Sequence, residues 1–572
     1  MNKTLQKSQT FPSSIKRISV VQSLLVVSFF WGLGLYLLGK HITGPFIFGD
    51  EETYFSFART IARGENINTY TQYGPLYPAL IAPFFSLKSI IQSYSVMKIF
   101  NVIVFISTVI PAYLLGKDLL KNYYLKALLP TLVIISPYGA FVYLIWAEPL
   151  YIPLFYWVCF LLYRHCEIPS LANSLFLGLF LSLLYFTKPI AGFVAYIAIM
   201  LTFSFYILFN FRLLSRKIKL FALLTLLTCS LLNFIWILHY LHLGVSIVGY
   251  PSANKELQLK IEHLGYWHQA YAITRSIFYQ FSYFFIGSWG LIGILFIMFI
   301  TQQHHLKFSE KNLVLFIFLY IAGVILISAM GMSSYRGLDH KMAQGRYYSL
   351  VLPLIITLTL HFVFSCKSVR IKPLLYILVI TSIVSIIASP LYTRSPVAYT
   401  SMPELAPFIY ISDKGLSVWR ATVEKPSFPL RIYSILFFTV FTCLLLGIRR
   451  WKYTPLLATN IIFLGTLFNS ITEQYYVLII GKSQAGLNNI YRYLIKEHIN
   501  IATVAFDKRM SPGNPAFLTP FWLEGIANYA KIEDFIKIST PATFTYFITW
   551  DKLNKHSAYT SGGMTIYTAR TP

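Results

Sequence analysis

Apolar runs near residues 18–38, 95–116, 126–144, 149–163, 171–187, 189–209, 220–241, 277–300, 313–331, 347–365, 373–390, 431–448 and 454–480 dominate the chain. Most approach the ~17–25 residues that an α-helix needs to cross a bilayer, so they read as about thirteen spans. With 56% hydrophobic and only 12% charged residues, and a mean hydropathy of +0.61, the chain is too apolar for a soluble protein. The expected architecture is an all-α polytopic membrane domain followed by a small soluble α/β domain.

The formal charge of +26, from 47 Lys+Arg against 21 Asp+Glu, would suggest nucleic acid in a soluble protein. Here its distribution explains it. Lys3, Lys7, Lys16 and Arg17 precede the first run, and no small-x-small cleavage site follows before His41, which reads as a retained signal-anchor. With the N-terminus inside, the even connections are cytoplasmic. They carry Lys117, Lys121 and Lys126; Arg164; Arg212, Arg216, Lys217 and Lys219; Lys307 and Lys311; Lys367, Arg370 and Lys372; and Arg449, Arg450 and Lys452. This is the positive-inside pattern, so no nucleic-acid partner is expected. Cys159, Cys166, Cys229, Cys366 and Cys443 lie in apolar runs or beside basic loops and imply no disulfide framework.

Residues 1–17 thus form a cytoplasmic segment, 18–483 the membrane domain with an outer loop at 39–94, and 484–572 an extracytoplasmic domain. In the last of these, Leu487, Ile490, Tyr491 and Leu494 make a helical face. Residues 501–506, 546–550 and 564–568 look like strands and 521–529 like a helix. The Pro-rich stretch 391–430 is too long for a plain connection and suits a lid or an acceptor platform. No internal repeat is visible, which counts against a transporter built from repeated halves.

Phe48 to Gly64 places Asp50, Glu51 and Glu52 just beyond the first span. Tyr54, Phe57, Ala58, Ile61 and Ala62 follow at helical spacing, with Glu52, Ser56, Arg59 and Arg63 on the other face. Capping alone would account for these charges: Asp50 as N-cap, acids in the first turn, and Gly64 just past the end. Gly74-Pro75 then opens PLYPALIAPFF, too short to span and expected to lie at the interface.

Other candidates also have plain readings. Glu148 is the only acid of a short outer corner (146–148), or the N-cap before Pro149. Lys188 sits between two apolar runs, as a phosphate ligand or as a snorkelling anchor. Arg346, with Tyr347 and Tyr348, opens the tenth span and suits bidentate phosphate binding or an interfacial girdle. Arg275 is a further phosphate candidate in the preceding outer segment.

In order and sidedness, the acidic outer helix, the Gly-Pro-Leu-Tyr-Pro segment (74–78), the Trp-Ala-Glu-Pro corner (146–149), the Thr-Lys-Pro corner (187–189) and Gly-Arg-Tyr (345–347) resemble the GT-C glycosyltransferases. Within that group the pattern is most similar to the branch of protein-O-mannosyltransferases and aminoarabinose lipid A transferases. The resemblance implies transfer of a sugar from a polyprenyl-phosphate carrier to a hydroxyl on a lipid, glycan or protein acceptor. It implies an inverting enzyme, in a bacterial inner membrane, that works on the outer face.

It implies Asp50 as general base, Glu51 as its assistant, Glu148 as a second carboxylate, and Lys188, Arg346 and Arg275 as ligands of the donor phosphate. A divalent metal is left open, since the chain carries no strong metal motif. Two rival functions are a transporter or flippase of lipid-linked glycans, which would need polar residues deep in several spans, and a noncatalytic scaffold.

Overall fold

The computed structural model describes residues 20–45, 50–67, 73–120, 123–210, 216–242, 266–288, 291–301, 306–333, 349–365, 454–500, 503–507, 528–530, 546–549, 553, 557–561 and 564–568. The expected spans at 373–390 and 431–448, the loop 391–430 and Arg346 lie outside these residues.

The helical part begins with α1 (Val20–Gly39), which is apolar all round. One stripe of it, Leu24, Ser28, Gly32, Leu35 and Gly39, is buried. The opposite side exposes Leu25, Phe29 and Phe30 at 61%, 65% and 64%, as suits a helix facing lipid. The small residues bring the neighbouring helix close: a Cβ on Gly32 would lie 3.3 Å from Ile106 Cγ1.

The outer-loop helix is α2 (Asp50–Ala62), followed by the short α3 (Leu76–Ile81) and a 3₁₀ segment, Ala82–Ser86. Two helices, α4 (Ile90–Ile106) and α5 (Val109–Leu119), together form one apolar unit, Ile90–Leu119. Next comes α6 (Tyr123–Ile134), bent by 41° from the 3₁₀ segment Pro137–Tyr143. The bundle continues through α7 (Glu148–Glu167), α8 (Leu171–Thr187), α9 (Pro189–Asn210) and α10 (Arg216–His242). It is completed by α11 (Tyr266–Gly287), α12 (Leu291–Thr301), α13 (Phe308–Ser333) and α14 (Leu352–Ser365).

Among the described residues, Val20–Gly39, Ile90–Leu119 and Phe308–Met330 are each long and apolar enough to cross a membrane. Of the shorter apolar helices, α9 packs on α13, and α8 packs on α7, α9 and α10. The protein is a multi-pass membrane protein. The run expected as one span over 277–300 is instead divided between α11 and α12. Ser288 accounts for the break: its Oγ donates to Phe285 O at 3.0 Å, and its carbonyl accepts Leu291 N at 2.9 Å.

The last described helix, α15 (Thr454–Lys496), runs unbroken across residue 484 and packs its end on a five-stranded sheet. Tyr493 stacks on Tyr559 at 4.5 Å, and Tyr491 on Phe506 at 5.7 Å. The strands are β1 (Val504–Asp507), β2 (Asn528–Ala530), β3 (Tyr546–Thr549), β4 (Ser557–Ser561) and β5 (Met564–Thr568), in the order β2-β1-β3-β5-β4. The pairs of β1 with β2 and β3 are parallel, and those of β5 with β3 and β4 antiparallel. A helix was expected over 521–529, but Asn528 and Tyr529 are strand residues. Parallel pairing with Ala505 and Phe506 overrides their local pattern.

Candidate functional site

The site begins with α2 and its unusual burial. The first part of its apolar series is covered, with Tyr54, Phe57 and Ala58 at 5% exposure or less, while Ile61 is half-buried and Ala62 exposed; Phe55 and Glu51 are also fully buried. Arg59, expected on the solvated face, is only 7% exposed. The Ala82–Ser86 segment covers that face, and the guanidinium lies 5.1 Å from the Phe55 ring and 5.7 Å from Phe85. Gly64, at φ +68°, ends the helix: its N–H reaches Ile61 O at 3.0 Å and that of Glu65 reaches Thr60 O at 3.0 Å, a Schellman closure.

The three acids at the start of α2 have different partners. Asp50 is half-buried, and its Oδ1 accepts the Tyr73 hydroxyl at 2.9 Å. Glu51 Oε1 accepts the backbone N–H of Ile145 at 3.1 Å, which straps α2 to the corner before α7. Glu52 Oε1 takes Ser56 Oγ at 2.9 Å, within the helix. Burial raises the Glu52 pKa, against the opposing effects of Ser56 and Arg59.

That corner presents Glu148, which does not cap α7. The N-cap residue is Ala147, and the Glu148 carboxylate instead meets Lys188 Nζ at 2.5 Å. The two side chains are 4% and 11% exposed. Lys188 is therefore not a snorkelling anchor: it closes α8 in extended conformation and turns its ammonium into the protein.

Gly74 explains how the segment after α2 reaches this corner. A Cβ there would lie 2.1 Å from Phe186 O and 2.6 Å from the Thr187 carbonyl carbon, so only glycine lets the chain pass. Gly74→Ala is expected to push residues 73–75 off the α8–α9 corner, lowering thermal stability and detaching Tyr73 from Asp50. Thermal unfolding in detergent alongside a transfer assay checks both.

Aromatic rings fill the space between the two halves. Tyr54 meets Tyr73 edge-on at 4.8 Å and Tyr77 at 5.6 Å. Buried Tyr77 donates to Asn101 Oδ1 at 3.0 Å, and Asn101 Nδ2 donates to Leu144 O at 2.7 Å. Burial raises the Tyr77 pKa well above the ordinary phenol value; the Asn101 bond opposes this, and the charges of Glu51 and Glu148 add to it. Both carboxylates thus lie within electrostatic reach of one hydroxyl.

Asp50, Glu51, Glu148 and Lys188, from three separate stretches of sequence, thus gather at one end of the helical domain. Arg275 lies half-buried on α11. Sequence reasoning missed Tyr73, Tyr77 and Asn101. The last had a visible signal, since a polar side chain inside an apolar run is a functional candidate by default.

Among the described residues, no group of three or more His, Cys, Asp or Glu side chains is placed to hold a metal ion. Asp50, Glu51 and Glu148 each have a separate partner and do not converge as one ligand set.

A crystal structure of ArnT from Cupriavidus metallidurans bound to undecaprenyl phosphate aligns with this architecture over 96% of this chain and 97% of its own, at 11% identity and a TM-score of 0.51. The chain has the GT-C fold. Also similar are the same ArnT in the apo state, at 10% identity, 96% and 99% coverage and a TM-score of 0.49, and the apo oligosaccharyltransferase of Archaeoglobus fulgidus, at 12% identity, 94% and 70% coverage and a TM-score of 0.45. No family model matches the chain, and no curated protein matches it in sequence.

Proposed function

We propose that the protein is a membrane glycosyltransferase that moves a sugar from a polyprenyl-phosphate carrier to a hydroxyl on an outer-face lipid, glycan or protein. The observation that carries this reading is the gathering of two half-sites of complementary chemistry. One is a carboxylate at a helix start, positioned by Tyr73. The other is a buried ammonium, positioned by Glu148. The undecaprenyl phosphate held by the ArnT structure belongs to the class of carrier proposed here.

In this mechanism the acceptor hydroxyl attacks the anomeric carbon while Asp50 takes its proton. The bond from that carbon to the phosphate oxygen breaks in the same displacement, inverting the anomeric configuration. Polyprenyl phosphate departs with the electron pair and Lys188 stabilises its charge, with Arg346 and Arg275 as the further phosphate ligands that the resemblance implies. Glu148 aims Lys188, and Glu51 acts by positioning: its bond to Ile145 N–H fixes the distance between the two halves.

Tyr73→Phe is expected to lower the turnover number about 10-fold or more, because a hydrogen bond to a charged group is worth ~1.5–3 kcal/mol. The fold is expected to persist, and steady-state kinetics check this. Mass spectrometry of surface lipids, glycans and proteins with and without the chain tests the function: loss of one sugar modification is expected. An unchanged surface would contradict the reading.

A transporter would instead place polar groups deep in several spans. Of the deep polar residues that such a reading would use, Asn233 is paired with Ser182 at 2.7 Å, whereas the buried Gln474 amide has no hydrogen-bond partner among the described residues.

A further inference from the structure

A second cationic site lies at the same end of the helical domain, on different elements. A cavity of about 220 Å³ opens between the end of α1, the start of α4, the Pro137–Tyr143 segment and α15, and its lining includes Lys40, Lys98, Arg492, Tyr36, Ser95 and Tyr143. None of the acids discussed above lines it. Lys98 donates to Gly39 O at 2.8 Å and Ile42 O at 2.7 Å, carbonyls at and just beyond the end of α1. Arg492 and Lys98 repel each other, and the charge of Glu51 acts on Lys98 in the opposite sense. Lys40 lies over the Tyr36 ring at 4.7 Å. Among the described residues, no carboxylate forms an ion pair with Lys40, Lys98 or Arg492.

Tyr143 supplies an independent sign of a ligand. Its side chain is 1% exposed and its hydroxyl has no hydrogen-bond partner among the described residues. Gly39 lets the ring in, since a Cβ there would stand 3.1 Å from Tyr143 Cδ1. A buried donor in this position costs free energy unless a ligand accepts from it.

We infer that this cavity binds the phosphate group of an anionic lipid. A phosphate ester bearing one to two negative charges matches a cluster of Lys and Arg plus a phenol donor. The cavity is smaller than the ~300–1,000 Å³ of pockets for drug-sized ligands, which fits a headgroup phosphate with its tails left outside. Location supports a lipid source: the cavity meets α1, whose Leu25, Phe29 and Phe30 face outward to lipid. The inference is independent of sugar transfer, because none of the cavity's lining belongs to the proposed catalytic set.

The test is native mass spectrometry of the full chain released from nanodiscs of equimolar phosphatidic acid and phosphatidylcholine. The wild type is expected to retain phosphatidic acid preferentially. Lys40→Gln with Arg492→Gln is expected to cut that retention about 25-fold, at about fivefold per cation. Tyr143→Phe, which removes a hydroxyl bonded to no described residue, is expected to reduce retention several-fold and leave thermal stability in pure phosphatidylcholine unchanged. Asp50→Asn is expected to retain the lipid as wild type does.

Displacement by inorganic phosphate would assign recognition to the phosphate group alone, and failure to displace it to the phosphate in its lipid setting. Either result supports the site. Equal retention of the two lipids by the wild type would overturn it, as would unchanged retention in the Lys40–Arg492 double variant, or loss in Asp50→Asn alone.

Discussion

Asp50→Asn is expected to reduce sugar transfer by about 10²- to 10⁴-fold, the range supplied by a positioned general base, while leaving the protein folded in the membrane. The amide keeps an oxygen to accept the Tyr73 hydroxyl, so the contact between α2 and residue 73 survives. What is lost is the capacity to take the acceptor's proton. The effect belongs in the turnover number, with little change in KM for the lipid carrier. Glu51→Gln should behave differently. Its amide oxygen can still accept Ile145 N–H, but its NH₂ group enters a fully buried position. It is expected to lower thermal stability along with activity, and comparing melting curves with rates for the two variants separates base from strap.

The second large effect concerns the Glu148–Lys188 pair. Removing one partner leaves a buried, uncompensated charge, at a cost of about 3–5 kcal/mol. Glu148→Leu and Lys188→Met are each expected to depress the melting temperature markedly. Combined, they replace a buried ion pair by apolar packing, a change that is often neutral or stabilising by about 1–4 kcal/mol. The double variant should therefore recover most of the lost stability and still fail to transfer sugar. Full recovery of activity with stability would mean that the pair is only structural. Thermal unfolding and transfer rates measured on all four forms complete the cycle.

Much of this fold can be read locally. The apolar runs that became α1, α8 and α9, and the Gly64 terminus, rest on helical periodicity and on residues adjacent in sequence. What could not be read depends on contacts far along the chain. Nothing near Glu148 announces that its partner lies 40 residues on. Arg59 reads as solvated until the Ala82–Ser86 segment is folded over it. Gly74 looks like an ordinary turn residue, and only the Phe186 carbonyl beside it explains why a side chain would not fit. β2 follows the same rule, because its pairing with β1 decides its conformation. The carboxylates of α2 were visible as a group, but their division of labour came from three different partners, two of them remote in sequence.

The most direct measurement uses purified full-length protein in nanodiscs, a radiolabelled polyprenyl-phosphate sugar, and the surface molecule that loses its sugar when the chain is absent. The wild type is expected to convert the carrier to free polyprenyl phosphate in step with labelling of the acceptor, and Asp50→Asn to do neither. Sugar transfer by folded Asp50→Asn at the wild-type rate, or acceptor labelling without release of polyprenyl phosphate, would contradict the proposed mechanism.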